Sequence, residues 1–429
     1  MAYKGFGLGF HNSQPVFVSQ AVAGDVVKTT VINKKRGVYF AKIEKIYIKS
    51  EARRKPDCQV FSVCGGCDWL HISYSKQLNF KQKIVEEIFR NDAVEKIENI
   101  EASENEFAYR NKVFMPVQQD PNGKPKLGIF AKNTHEVIAH KNCKLQPPIF
   151  DEIAYVFQKY LIASKATIYD ENTNTGNIKH LGIRYSKKND EIIAVVVSRK
   201  TKLPFSKQLV RILTDNFPNI VGIVHNINKE KGNKILGKQS RTLFGRNYIN
   251  ENLANRVYQV DYRSFFQVNI LIAEKMLKFV KENITQQDVV LDAYCGVGAI
   301  GIFLAAKAKW VTGIENNENA INDAQTNAEL NNIKNIDFFH MDTKDLTLDK
   351  LSGVDFTTVV FDPPRKGLNK TDIDFAKNVP KIIYISCNPT TQMRDVHLFE
   401  KYGFKIKKLK CFDMFPQTYH IENVVVLEK

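Results

Sequence analysis

Cys387 is the residue of this chain whose type and position point most directly to chemistry. It follows an apolar stretch, Lys381 to Ser386, that predicts a buried strand, and it precedes a predicted helix start at Pro389. The amides of a helix N-terminus favour an anion, and the thiolate is the reactive form of cysteine. Cys387 is therefore a candidate nucleophile, although free cysteines also serve as small buried hydrophobic residues.

A glycine-rich turn precedes this cysteine in the sequence. A predicted strand from Asp288 to Tyr294 leads into Gly296-Val297-Gly298-Ala299-Ile300-Gly301 and then into an apolar helix. The next predicted strand, Trp310 to Ile314, ends in Glu315. An acid at this distance from the turn can bind the ribose hydroxyls of a nucleotide-like ligand.

Two further predicted strands also end in acidic residues. Ile336 to His340 is followed by Asp342, which is placed to meet an adenine amino group, and Thr357 to Phe361 is followed by Asp362-Pro363-Pro364-Arg365. In doubly wound sheets, ligands bind at the carboxyl ends of the strands. We expect these acids to line one crevice there.

The glycine pattern alone fits either a dinucleotide or S-adenosylmethionine. We expect no second substrate domain beyond this part of the chain, which argues against a dehydrogenase. An Asp-Pro-Pro loop after the fourth strand is typical of methyltransferases, because the prolines fix a loop beside the transferable methyl group. These features favour S-adenosylmethionine as the cofactor.

Glu422 is an acid within an apolar C-terminal strand, where desolvation is expected to raise its pKa toward that of a usable base. A thiol nucleophile, a methyl donor and a base together suit methylation of carbon 5 of uracil. Addition of the Cys387 thiolate to carbon 6 makes carbon 5 nucleophilic, and the base then removes the carbon 5 proton. In folded RNA the uracil must leave its stack to react.

Four further cysteines suggest a metal site. Cys58, Cys64 and Cys67 lie close together around Gly65-Gly66, and Cys143 follows 76 residues after Cys67. Structural zinc sites usually combine two short ligand pairs, and only one is present here. The spacing favours a [4Fe–4S] cluster but leaves zinc open.

The charge of the chain indicates a polyanionic partner. The 429 residues carry a net charge of +16, and residues 1–56 alone hold 11 Lys and Arg against three acids. This stretch shows short strand-like runs rather than a basic amphipathic helix, so RNA is favoured over a membrane surface. No apolar run has membrane-spanning length, and Met1-Ala2-Tyr3-Lys4 does not open a signal peptide, so we expect a cytoplasmic protein.

The elements divide into three predicted domains. Residues 1–56, with strands at Val16–Val18, Val26–Ile32 and Val38–Ile48, predict a small β-barrel of the oligonucleotide-binding kind and resemble the RNA-binding TRAM domain. Residues 57–260 predict a central α+β domain that holds the cluster cysteines. Residues 261–429 predict a Rossmann-like, α/β, S-adenosylmethionine-dependent methyltransferase domain.

Five motifs appear in the order found in the RNA 5-methyluridine (uracil-C5) methyltransferase family, which this chain resembles along nearly its whole length. The motifs are Phe265-Phe266-Gln267-Val268-Asn269, Asp292-Ala293-Tyr294-Cys295-Gly296, Asp362-Pro363-Pro364-Arg365, Ser386-Cys387-Asn388-Pro389 and His420-Ile421-Glu422. With the four cysteines, the chain is most similar to the iron–sulfur 23S ribosomal RNA uracil-5-methyltransferases. The resemblance therefore implies a [4Fe–4S] cluster on Cys58, Cys64, Cys67 and Cys143.

The resemblance also implies a role for each matching residue. Cys387 corresponds to the nucleophile and Glu422 to the base, and Phe265 takes the place of a ring that stacks on the flipped uracil. The positions that match contacts to the methyl donor are Gln267, Tyr294, Glu315, Asp342 and Asp362. Ala299 stands where family members often carry Thr or Asn, which implies one polar contact fewer.

The predicted function is thus methylation of carbon 5 of a uridine in 23S ribosomal RNA, with no membrane association and no obligate protein partner inferred. The alternatives are the same chemistry on transfer RNA and a non-catalytic RNA-binding or assembly protein. The presence of both Cys387 and Glu422 argues against the non-catalytic alternative.

Overall fold

The computed structural model of the chain describes residues 1–346, 351 and 354–429. Its first part is a small sheet of four strands: β1 (Gly7–His11), β2 (Gln14–Ser19), β3 (Val26–Lys35) and β4 (Val38–Ile48). The β3–β4 hairpin turns through Arg36-Gly37, both at positive φ, which suits a two-residue hairpin turn. β3 therefore runs three residues further than the strand predicted to end at Ile32.

The four-stranded sheet does not close into the barrel that we predicted. Its ladders follow the order β1-β2-β4-β3, and within this described segment β1 is not paired with β3. The core of the sheet is small, so one face of an open sheet is enough to bury it and closure into a barrel is not needed. That core consists of Val16, Val18, Ala21 and Ala41.

The middle of the chain forms a seven-stranded sheet in the order β12-β11-β10-β9-β6-β7-β8, together with helices and a separate hairpin, β13–β14. In chain order the elements are α1 (Tyr74–Ile88), β5 (Ile97–Glu101), β6 (Lys112–Gln119), β7 (Pro125–Phe130), β8 (Val137–Ala139), α2 (Pro148–Ala163), β9 (Ile178–Ser186), β10 (Glu191–Ser198), α3 (Ser206–Asn216), β11 (Ile220–Ile227), β12 (Gln239–Gly245), β13 (Tyr248–Leu253) and β14 (Arg256–Asp261). The predicted strand Lys126 to Ala139 is divided in two by a turn.

The apolar run in β10 is explained by burial on both faces of the sheet. Ile192, Ala194 and Val196 share a core with α2 and α3. Ile193 and Val195, on the opposite face, belong to a core that continues into the C-terminal part of the chain. The sequence of a strand that is buried on both faces is a continuous run of hydrophobic residues. The central sheet is therefore packed directly against the part that carries the candidate active site.

The C-terminal part forms an eight-stranded sheet in the order β17-β16-β15-β18-β19-β21-β20-β5. Its elements are α4 (Ile270–Glu282), β15 (Val289–Ala293), α5 (Ala299–Leu304), β16 (Trp310–Glu315), α6 (Glu318–Leu330), β17 (Ile336–His340), β18 (Thr358–Phe361), α7 (Lys370–Ala376), β19 (Lys381–Ser386), α8 (Pro389–Glu400), β20 (Lys405–Phe412) and β21 (Glu422–Glu428).

Strands β15 to β19 are parallel, and β21 runs antiparallel between β19 and β20. This is the mixed α/β architecture that we predicted for the C-terminal domain, and the strand order reverses between β15 and β18, where such sheets bind ligands. The edge strand β5 comes from the stretch that we assigned to the central domain. Within the described residues, no helix is long and apolar enough to cross a membrane.

Candidate active site

One cavity of about 630 Å³ lies at the carboxyl ends of the parallel strands. The turns after β15 to β19 and the first residue of β21 all contribute side chains to its wall. The structure thereby brings together every residue that we predicted to bind the cofactor or RNA base or to act in catalysis. These residues are Phe265, Gln267, Tyr294, Glu315, Asp342, Asp362, Cys387 and Glu422.

The glycine-rich turn forms one wall of the cavity. Gly296 adopts a φ of 55°, and a Cβ atom there would meet open space, so a ligand can approach the backbone closely. The Gly296 amide donates a hydrogen bond to Glu315 Oε2 at 3.2 Å. Gly298 has a different function, because a Cβ atom there would lie 2.8 Å from the Phe338 ring. The turn thus holds Glu315 beside an open stretch of backbone.

Tyr294 and Asp342 are held by other protein groups. The Tyr294 hydroxyl donates to Asp372 Oδ2 at 2.7 Å and accepts from Thr343 Oγ1 at 2.8 Å, so its polar end is already satisfied. Asp342 Oδ1 accepts from the Lys344 amide, and this hydrogen bond lowers the pKa of the carboxyl below its ordinary value. Asp342 is therefore a fixed anion at the cavity wall.

The loop with Phe265 and Gln267 is anchored by the central sheet. Asn111 donates its backbone amide to Val268 O at 3.1 Å and its side-chain amide to Gln267 O at 3.1 Å. Arg184, which is buried, donates to Ser264 O at 2.6 Å. Phe265 itself is 69% exposed. The loop is thus rigidly held while it presents an aromatic ring to solvent at the cavity mouth.

Cys387 is half-buried, two residues before the first residue of α8. Burial, reinforced by the charge of Glu422, raises the pKa of its thiol to about 11. This result opposes the expectation from helix position alone, because desolvation outweighs the nearby amides. The thiol is therefore mostly protonated near neutral pH without a bound substrate.

Arg365 also lines the cavity, and it was not among the predicted site residues. It hydrogen-bonds Cys387 and lowers the pKa of that thiol against the effect of burial. Its Nη2 atom also lies 3.4 Å from His420 Nδ1. The signal in the sequence was the cation that directly follows Asp362-Pro363-Pro364.

Glu422 and Asp362 form a pair of buried carboxyl groups. Burial raises the pKa of Glu422 well above its ordinary value, and the charge of Asp362 adds to the shift. Burial also raises the pKa of Asp362 to about 7. Two neighbouring carboxyl groups in an apolar site resist simultaneous ionisation, so the pair retains a proton near neutral pH. Such a pair can accept or release a proton at the cavity.

The four metal-ligand candidates converge outside the cavity. The Cys67 thiol lies within electrostatic reach of Cys143, Cys64 and Cys58, and burial together with these neighbours raises its pKa well above the ordinary value. Burial raises the pKa of Cys143 to about 11. All four cysteines are free and half-buried.

Hydrogen bonds donated by backbone amides hold the loops that carry these cysteines. The Gly65 amide donates to Phe130 O at 3.0 Å, and the Gly66 amide donates to Cys64 Sγ at 3.4 Å. The Cys143 amide donates to Asp151 Oδ2 at 2.8 Å. A Cβ atom on Gly65 would lie 2.6 Å from Phe130 O, which explains the glycine.

Comparisons with known proteins give consistent results. The sequence model of a family described as tRNA (uracil-5-)-methyltransferase matches residues 73–429. An RNA methyltransferase from Clostridium tetani is 35% identical over 434 residues, which cover 100% of this chain and 94% of that protein. Another from Listeria innocua is 35% identical and covers 100% and 95%.

A solved structure is also similar to this chain over nearly its full length. The Pyrococcus abyssi tRNA (uracil-54, C5)-methyltransferase in complex with S-adenosyl-L-homocysteine matches with a TM-score of 0.78 and 26% sequence identity. The match covers 96% of this chain and 95% of that chain.

Proposed function

The chain belongs to the tRNA (uracil-5-)-methyltransferase family, and on that premise we propose that it transfers a methyl group from S-adenosylmethionine to carbon 5 of a uridine in 23S ribosomal RNA. It is an RNA methyltransferase. The observation that carries the proposed mechanism is one cavity in which Cys387 and Glu422 lie together with the glycine-rich turn and Glu315.

The donor end of the cavity suits S-adenosylmethionine, which supplies an electrophilic methyl group when bound. Glu315 is placed to accept hydrogen bonds from ribose hydroxyls, since the Gly296 amide fixes its carboxylate. The ionised Asp342 is a partner for an adenine amino group. The open backbone at Gly296 gives room for the close approach that such a ligand needs. We assign the remaining donor contacts to Gln267, Tyr294 and Asp362.

Cys387 carries out the nucleophilic step. Its thiolate forms a carbon–sulfur bond at carbon 6 of the uracil, and the electron pair of the ring double bond moves to form an enolate centred on carbon 5 and the carbonyl at carbon 4. Carbon 5 would then bond to the methyl group as the bond from that group to the donor sulfur breaks, and its electron pair would leave the sulfur as a neutral thioether. Arg365, which contacts the thiol, favours its anionic form.

Glu422 completes the reaction. As a carboxylate it accepts the proton from carbon 5 after that atom has been methylated. The electron pair left behind re-forms the ring double bond, and the carbon 6–sulfur bond breaks to free Cys387. Because burial raises the pKa of Glu422, the carboxylate is a stronger base than an exposed glutamate.

Cys58, Cys64, Cys67 and Cys143 are proposed to hold a [4Fe–4S] cluster. In a tetrahedral zinc site, sulfurs about 2.3 Å from the metal lie roughly 3.8 Å apart. No three of the four sulfurs, all in described parts of the chain, lie within 4.8 Å of one another, so they are more widely spaced than the thiolates of a zinc site. The proposed contribution of the cluster is structural, since the methylation requires no redox step.

RNA is proposed to contact the chain at two places. Phe265, exposed at the cavity mouth, offers a ring on which the flipped uracil stacks. Residues 1–56 are proposed to act as a TRAM-like module whose excess of Lys and Arg contacts phosphates. We also retain 57–260 and 261–429 as the proposed central and catalytic domains.

Transfer RNA is the second candidate substrate. The similar Pyrococcus abyssi enzyme is a tRNA (uracil-54, C5)-methyltransferase, and the match covers 96% of this chain. The four cysteines and the sequence resemblance favour ribosomal RNA. The deciding experiment maps 5-methyluridine in both RNAs from a deletion strain. Loss of one 23S residue with intact transfer RNA supports the proposal, and loss confined to transfer RNA contradicts it.

A further inference from the structure

The segment from Asp413 to Ile421 connects β20 to β21 and leads directly into Glu422. Glu422 pairs with Phe412 of β20, whereas the ladder between β19 and β21 begins only at Asn423. Glu422 is therefore held by β20 on one side, while the connecting segment leads directly into it from the other.

Gln417 is the central contact of this connecting segment. It is fully buried, and its φ of 69° lies in the left-handed region, which is unfavourable for a residue with a side chain. Its carbonyl oxygen accepts hydrogen bonds from the backbone amides of Asp68 at 3.0 Å and Trp69 at 2.9 Å. These two residues directly follow Cys67. The cysteine loop is thus bonded to the connecting segment at Gln417.

The side chain of Gln417 is held by residues from the first quarter of the chain. Gln77 Nε2 donates to Gln417 Oε1 at 2.8 Å, and the backbone amide of Gln417 donates back to Gln77 Oε1 at 3.0 Å. Arg54 donates to the same Oε1 atom at 2.6 Å, and Gln417 Nε2 donates to Glu106 at 3.2 Å. Gln77 Nε2 also donates to Trp69 O at 3.1 Å. A strained, buried backbone position is therefore fixed from several directions.

Other anchors restrain the same segment. Lys81 and Asp413 form an ion pair at 2.5 Å with both side chains fully buried, and Lys81 also donates to Phe415 O at 3.1 Å. The Tyr109 hydroxyl donates to Pro416 O at 3.0 Å. These anchors hold the residues before Gln417, so Gln417 is the last buried anchor to the first quarter of the chain before Glu422.

We propose that Gln417 is a positioning residue for the base, Glu422. Gln417 connects the loop that follows Cys67 to the segment that leads into Glu422. Proton removal from carbon 5 therefore depends on the order of the cysteine loop. The inference rests on the proposed function. It assigns Gln417 to one step, because the connecting segment leads into Glu422, whereas Cys387 directly follows β19.

The two steps can be separated with a fluorinated RNA. On 5-fluorouridine the Cys387 thiolate adds to carbon 6 and carbon 5 accepts the methyl group. Carbon 5 then carries fluorine in place of the proton, and a base cannot remove it. The covalent RNA–protein adduct therefore accumulates without any contribution from the base. The probes are 23S ribosomal RNA transcripts made with uridine or with 5-fluorouridine.

The variants are Gln417→Ala and Gln77→Met. Gln77→Met removes the amide that holds Gln417 and keeps a similar side-chain volume. We expect both to form the fluorinated adduct within about twofold of the unchanged rate, while turnover on uridine RNA falls by about 100-fold, as for a displaced catalytic group. Denaturation-resistant adduct on uridine RNA should accumulate in both variants.

Asn226→Ala is the matched control. Asn226 lies in β11 of the central sheet, and its side-chain amide is equally buried and donates to the Tyr262 hydroxyl. It should lose stability without accumulating adduct. Unchanged turnover in Gln417→Ala, or a parallel fall of turnover and fluorinated adduct, would overturn the inference. Both results leave the proposed function intact. If the unchanged enzyme forms no adduct on 23S or transfer RNA transcripts, the proposed function fails and takes the inference with it.

Discussion

The catalytic cavity and the four-cysteine site gather reactive residues in different ways. In the cavity, Glu315, Asp362 and Cys387 stand at the carboxyl ends of three parallel strands of one sheet, so the hydrogen-bonded sheet sets their spacing. The cysteines lie on loops, and Cys143 follows Cys67, the last of the other three, by 76 residues. A sheet organises its site before any ligand binds, whereas a loop site depends on the bonds that it makes.

The two sites also differ in what burial does. In the cavity, burial raises the pKa values of Glu422 and Asp362 and creates a base that retains a proton. At Cys67 and Cys143, burial raises the pKa values of thiols that must lose their protons to bind metal. In the proposed mechanism the first effect serves the reaction, and at the proposed cluster site the second favours the protonated thiols until metal binds.

The strongest way to separate the two sites is Cys387→Ala. Without the sulfur no bond to carbon 6 can form, so methylation should fall by at least about 10⁴-fold. RNA affinity should stay within about twofold, because the change removes no charge. Methyl incorporation and filter binding on the same preparation measure both quantities. Measurable turnover by this variant would exclude Cys387 as the nucleophile.

Cys143→Ser should affect the other site. Removal of one ligand should strongly lower the iron content of anaerobically purified protein and reduce the thermal unfolding midpoint by about 5–10 °C. Cys411→Ala is the control, since Cys411 is a buried core thiol and its loss should leave the iron in place. A colourless unchanged protein with stoichiometric zinc would instead establish the zinc alternative.

A smaller effect is expected from Arg365→Ala. The pKa of Cys387 is raised to about 11, so the thiolate fraction, and with it the rate of fluorinated adduct formation, should rise from about pH 6 to about pH 9. Loss of the Arg365 cation should raise this pKa further and lower the rate about tenfold at each pH. Lys370→Ala, an exposed cation on α7, should leave the profile unchanged. A pH-independent rate would contradict the assigned titration.

The sequence predicted the cavity better than the surroundings of the cysteines. Strands that end in Glu315, Asp362 and Cys387 are visible in a sequence because a parallel sheet converts chain order into spatial order. The role of Arg365 and the raised pKa of Cys387 were missed, since both depend on which groups share a buried space.

Long-range pairings were also missed. The addition of β5 to the catalytic sheet and the hydrogen bonds that the cysteine loop donates to Gln417 O join segments more than 300 residues apart. Such contacts leave no periodic signal in the sequence. The open N-terminal sheet was missed for a related reason, because strand runs predict strands but not the closure of their edges.

The most direct test of the central claim is the state of the RNA bound to Glu422→Gln. This change removes the base and keeps the nucleophile, so the variant should methylate carbon 5 and then fail to release it. Denaturing gel electrophoresis with labelled S-adenosylmethionine should show a methylated RNA–protein band that is lost when Cys387→Ala is added. Normal turnover by Glu422→Gln without that band would contradict the account.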